Sequence, residues 1–114
     1  METNKIFSIK DSVEYSSNSI VSKTIIKKET GNITLFAFDE GQSLSEHTAQ
    51  FDAFVNVIDG EGEIIINKQV HKLLAGDSII MPANIPHAVN ADKKFKMLLV
   101  MIKEQIKLHN NASL

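Results

Sequence analysis

The chain contains no cysteine and no tryptophan, and only two prolines and five glycines. Without thiols there is no disulfide framework, no thiolate nucleophile and no thiolate-held metal, a pattern that fits a reducing compartment. Neither sign of charge dominates: twelve Lys+Arg against fourteen Asp+Glu leave a formal net charge of -2 at pH 7. That balance offers no electrostatic attraction for nucleic acid or an anionic membrane, so neither is expected as a partner. The pairs Lys27-Lys28 and Lys93-Lys94 read as solvated turn or edge residues rather than a binding patch. Long apolar runs are missing as well. MLLVMI at 97–102 is far too short to span a bilayer. The opening METNKIFSIKD has neither an apolar stretch nor a small-residue cleavage site, so no signal peptide is visible and a cytoplasmic location is expected.

What is present is a chain of 114 residues, 43% hydrophobic, expected to form a single domain over 1–114 around one sizeable core. Strand signals dominate. Residues 19–28 and 32–38 are rich in β-branched and aromatic side chains, with Glu29-Thr30-Gly31 as a turn between them. Residues 53–58 run into Asp59-Gly60-Glu61-Gly62, whose Asp-Gly signals a hairpin, and 63–67 return. Further strands are expected over 70–74, 78–81, 87–91 and 95–103, with the prolines of PANIP at 82–86 forcing a bend. Turns recur every eight to twelve residues, the spacing of an all-β sandwich or barrel. No helical period precedes the tail, where 104–114 could begin a short helix. Several strands are apolar on both faces, which calls for cover on both sides. A homodimer is therefore expected, although loops and the N-terminal segment could also supply the cover.

Two stretches carry a more specific pattern. The first has Gly41, five residues, His47, Thr48, Ala49, then Ala53 and, six residues on, Gly60. The second has Gly76, five residues, Pro82, Ala83, Asn84, two residues and His87, with Asn90 and Ala91 at its end. The pair resembles the two motifs of the cupin superfamily, small jelly-roll β-barrels, with the motif core at about 32–103. In metal-binding cupins two histidines and a glutamate of the first motif and a histidine of the second hold one divalent ion. Carried over by position, the resemblance implies His47 and His87 as metal ligands, while Ala49 stands at the second histidine and Ala53 at the glutamate. Asn84 replaces a glycine, and asparagine best tolerates a left-handed backbone.

Two neutral imidazoles alone bind a divalent ion loosely, since catalytic zinc usually keeps three protein ligands. Zn, Fe, Mn or Ni would therefore be held weakly or not at all. Strand parity turns Glu46 and Asp52 away if His47 and Ala53 face inward, unless a bulge intervenes. His71 reads as a surface or edge-strand histidine, and His109 sits in the tail. The expected pocket contains His47 and His87, with Gln50 and Phe51 from the loop, Val55 and Val57 by parity from Ala53, and Met81, with Asn84 nearby. Its expected role is to bind a small organic ligand, metal-independently or with only weak metal binding. The alternatives are a metal-assisted or acid–base enzyme of dioxygenase or isomerase type acting on a small polar substrate, and a structural or interaction module with a relict cavity.

Overall fold

The computed structural model describes residues 1–103, so the tail in which a short helix might begin lies outside the described residues. Every element is a strand: β1 Ile20–Lys28, β2 Gly31–Phe38, β3 Ser43–His47, β4 Phe51–Ile66, β5 Gln69–Leu74, β6 Ser78–Met81, β7 His87–Asn90 and β8 Phe95–Lys103. All pairings are antiparallel. One sheet runs β1-β2-β8-β4-β6, the other β3-β7-β4-β5, and the long β4 belongs to both. The all-β expectation holds, and the curled sheet is a jelly-roll barrel.

The expected hairpin at Asp59–Gly62 is not there. Those residues continue β4, and Asp59 and Gly60 pair with Lys96 and Phe95 of β8 after a register shift that follows Val57. Gly60 has a φ of 76°, and a Cβ on it would lie 2.3 Å from the carbonyl oxygen of Lys94. A Cβ on Gly62 would lie 2.5 Å from Cε2 of Phe95. Glycine is required here because the strand crosses from one sheet to the other against β8, not because the chain reverses. The strand Ser43–His47 was also not anticipated. Its polar sequence SLSEH carries little intrinsic preference, and pairing with β7 makes it a strand.

Inward-facing side chains from both sheets form the core, and their burial is graded. At the Gly60 end Val57, Phe38, Phe95 and Met97 are essentially inaccessible, with Phe38 and Phe95 stacked at 4.8 Å between centroids. Towards the other end Leu99, Met101 and Ile66 are only partly buried. The barrel is thus plugged at the crossing and opens where β3 ends and β4 begins.

The N-terminal segment covers part of the outer face of the β1-β2-β8-β4-β6 sheet. Val13 packs there on Leu35 and Ala37, with Tyr15 and Leu98 beside them. The Tyr15 hydroxyl donates to Asp59 Oδ2 at 2.6 Å, and the nearly buried Lys96 ammonium donates to the Lys10 carbonyl at 2.6 Å. Burial, reinforced by the Asp59 carboxylate, raises the Tyr15 pKa, while the hydroxyl's hydrogen bond is the main reason Asp59 ionises more readily than an ordinary carboxyl.

Candidate functional site

His47 and His87 are cross-strand partners of β3 and β7. Their ring centroids are 4.3 Å apart with the planes at 65°, an edge-to-face contact. Two local features deliver them. A register shift between Leu44 and His47 re-aims the end of β3. The bend after β6 is tied down by three hydrogen bonds, from Asn84 N to Ala49 O, from Asn67 N to Pro86 O, and from Ala83 N to Asp52 Oδ1. Asn84 adopts a φ of 65°, the left-handed backbone its motif position demands.

Each imidazole is pinned by its Nδ1, His47 to the Ser45 carbonyl at 2.9 Å and His87 to the Ile85 carbonyl at 3.2 Å. A carbonyl can only accept, so Nδ1 carries the proton in both rings and the neutral Nε2 presents a lone pair. Among the described residues neither Nε2 has a hydrogen-bond partner. His47 is exposed and His87 is 9% exposed. Burial lowers the His87 pKa, and His47 pushes the same way against the opposing Ile85 carbonyl.

Among the described residues no carboxylate joins the pair. The Glu46 carboxylate is held by Lys68 Nζ at 3.1 Å, and Asp52 accepts the Ala83 amide. No cluster of three or more potential metal-ligating His, Cys, Asp or Glu exists among the described residues. Ala53 is buried between Met81 and Met101, its cross-strand partners, and brings a methyl where a donor would be needed. This donor set does not fit a resident divalent ion.

The other anticipated residues divide by depth. Gln50 is exposed at the rim and Phe51, which opens β4, is half-buried. Met81 is buried, and Val55 and Val57 are fully enclosed in the core. His71 is half-buried on β5, which pairs only with β4, and His109 lies outside the described residues. The sequence reading missed Asn32 and Thr34. By register with Met101 and Leu99 they face inward on β2, partly buried, with the Thr34 hydroxyl 3.3 Å from Asn32 Oδ1. Since β2 ends at Phe38 and β3 sets out again from Ser43, Thr34 and His47 stand at a similar height in the barrel. Their signal was polarity at alternate positions of a strand whose remaining inward residues, Phe36 and Phe38, are aromatic.

A shallow depression of about 480 Å³ lies at the opposite, plugged end, lined by Tyr15, Asp59, Gly60, Glu61, Leu74, Lys93 and Lys94. Asp59 and Glu61 there are already paired with Lys10 and Lys72, so it is the anchor of the N-terminal segment more than a receptor.

Residues 34–103 match the family model described as Cupin domain. The chain belongs to the cupin family. Among solved structures, this cupin is similar to a conserved protein of unknown function from Streptococcus pyogenes, with 33% identity, a TM-score of 0.87 and 93% of each chain covered. It is also similar to a cupin 2 conserved barrel domain protein from Leptotrichia buccalis, with 42% identity and a TM-score of 0.83 over 85% of this chain. That match spans 47% of the Leptotrichia chain. A salicylate 1,2-dioxygenase variant from Pseudoaminobacter salicylatoxidans shares the fold at 15% identity and a TM-score of 0.69. No curated protein matches the sequence. Among the described residues no helix is long and apolar enough to cross a membrane.

Proposed function

We propose that this cupin is a cytoplasmic homodimer that binds a small organic molecule at the open end of its barrel without a resident metal. One observation carries the reading: two imidazoles in edge contact, each held by its Nδ1 and with no Nε2 partner among the described residues, beside a largely apolar interior. In their neutral form the rings offer two adjacent acceptors for hydroxyl or N–H groups; once protonated they donate to an acid. Leu99, Met101 and Ile66 supply apolar contact, and Asn32 and Thr34 offer a second polar point on the facing sheet. Gln50 and Phe51 would close over the ligand at the rim, with Met81, Val55 and Val57 beneath it.

The same fixed tautomers favour a second reading, in which one ring acts as general base and the other as general acid on a small polar substrate. Protein purified without a histidine tag, studied by native mass spectrometry and elemental analysis, tests both. The expected result is a retained small molecule, lost in His47→Ala and His87→Ala, with no stoichiometric metal. Turnover of that molecule abolished by either change would favour the acid–base enzyme. Zinc, iron, manganese or nickel at one per chain, removed by both substitutions, would refute the metal-free reading. If neither substitution alters what is bound, the cavity is a relict.

A further inference from the structure

One irregularity in β1 decides what that strand presents to the barrel. Thr24 pairs with Thr34 and faces inward with it, but the register shifts before Ile26, which pairs with Ile33 on the outer face. The extra residue, Ile25, packs outward against the cluster of Val13, Leu35 and Ala37. Strict alternation from Thr24 would turn Lys27 outward; the bulge reverses the parity and pairs Lys27 with Asn32. One inward row then runs Lys27, Asn32, Met101, Ala53, Met81, one residue from each strand of this sheet. A lysine thus shares the row of Ala53 at the barrel mouth. Lys27 is exposed and makes no ion pair among the described residues.

The two walls of the mouth are chemically unlike. On this sheet the Thr34 hydroxyl donates to Asn32 Oδ1 at 3.3 Å, so the Asn32 amide N–H groups and the Lys27 ammonium are what face a ligand, and both only donate. On the other wall neutral His47 and His87 present Nε2 lone pairs, which only accept. Leu99, Met101 and Ile66 lie between and are apolar. Resting on the small-molecule reading above, we propose that the ligand is a small hydroxy acid: its carboxylate lies on Lys27 and Asn32, its hydroxyl on the imidazole pair, and an apolar body joins the two.

Charge fixes the direction of binding. A carboxylate against two unprotonated Nε2 atoms would set lone pairs against lone pairs, whereas Lys27 and Asn32 offer it a cation and a neutral donor. Glu46 is held by Lys68 and Asp52 by the Ala83 amide, so neither carboxylate competes for Lys27. A hydroxyl suits the imidazoles better than an ammonium does. The apolar chamber strips water from whatever enters, and with no carboxylate beside the rings a cation there would stay unpaired. Facing sheets pack about 10 Å apart, and side chains reach in from both, which leaves room for one ring or a short chain.

Titration calorimetry on the full chain near neutral pH, with circular dichroism as a folding control, is the test. The probes are 4-hydroxybenzoate, benzoate and 4-methylphenol, which carry both groups, the acid alone and the hydroxyl alone. Wild-type protein should bind 4-hydroxybenzoate most tightly. Lys27→Met should weaken both acids about tenfold and leave 4-methylphenol unchanged. Lys28→Met removes the same charge from the outer face, where Lys28 pairs with Gly31, and should change none of the three. His47→Ala should weaken the two hydroxyl probes several-fold and spare benzoate. Equal effects of Lys27→Met and Lys28→Met, or an equal effect of Lys27→Met on all three probes, overturn the inference. So does a wild-type chain that binds none of them. The small-molecule reading itself falls only if His47→Ala and His87→Ala leave unaltered what the purified protein retains.

Discussion

His87 and His47 touch, yet their removal should have very different consequences. His87 is 9% exposed and its Nδ1–H satisfies the Ile85 carbonyl. His87→Ala orphans that carbonyl and leaves a small void, at a cost of about 1–3 kcal/mol. His47 is exposed, so water can replace its bond to Ser45 and His47→Ala should stay within about 0.5 kcal/mol of wild type. With a urea m-value of about 2 kcal/mol/M, the midpoints of the two variants should differ by roughly 0.3–1.5 M. Acid should separate them again. Burial holds the folded His87 pKa below the unfolded value. As pH falls below about 6.5 the unfolded chain takes up a proton that the native state resists, so stability is lost until the folded pKa is passed. Urea curves followed by circular dichroism at about pH 7.5 and about pH 5, at fixed protein concentration, should show that His87→Ala loses less stability on acidification than wild type. Equal midpoints for the two variants, or an acid loss unchanged by His87→Ala, would refute the burial and bonding assigned to this ring.

Gly62→Ala would place a methyl 2.5 Å from the inaccessible Phe95 ring, which is stacked on Phe38. Overpacking of about 1–3 kcal/mol is expected, and the additional change Phe95→Leu should recover part of it in thermal melts. Tyr15→Phe removes the hydroxyl's bond to Asp59 and should cost about 1 kcal/mol, given the half-exposed setting. It should also raise the Asp59 pKa, readable by NMR titration, and speed proteolysis near residues 10–15; an unchanged cleavage rate would mean that this bond does not hold the segment down.

The barrel was legible because its signals are local. Alternation of apolar residues, turn chemistry at Glu29–Gly31 and Asn67–Gln69, and the two spaced motifs mark nearly every strand within a residue or two. The failures have one cause. In DGEG the glycines that read as a hairpin serve the close passage of β4 under Phe95, a contact with a residue more than thirty positions away. Ser43–His47 lacks intrinsic strand preference and gains it from β7.

The order of residues alone was enough to specify a nearly charge-balanced, thiol-free β-barrel with His47 and His87 at two motif positions whose other donors are alanines. Folding added what no local pattern encodes. It brought two rings from strands forty residues apart to 4.3 Å, turned their Nδ1 atoms onto Ser45 and Ile85, buried one and exposed the other. It also shifted the register of β1 and so turned Lys27 onto the face of Asn32. Strand pairing joins distant segments, and register, which decides the neighbour of each side chain, exists only once they have met.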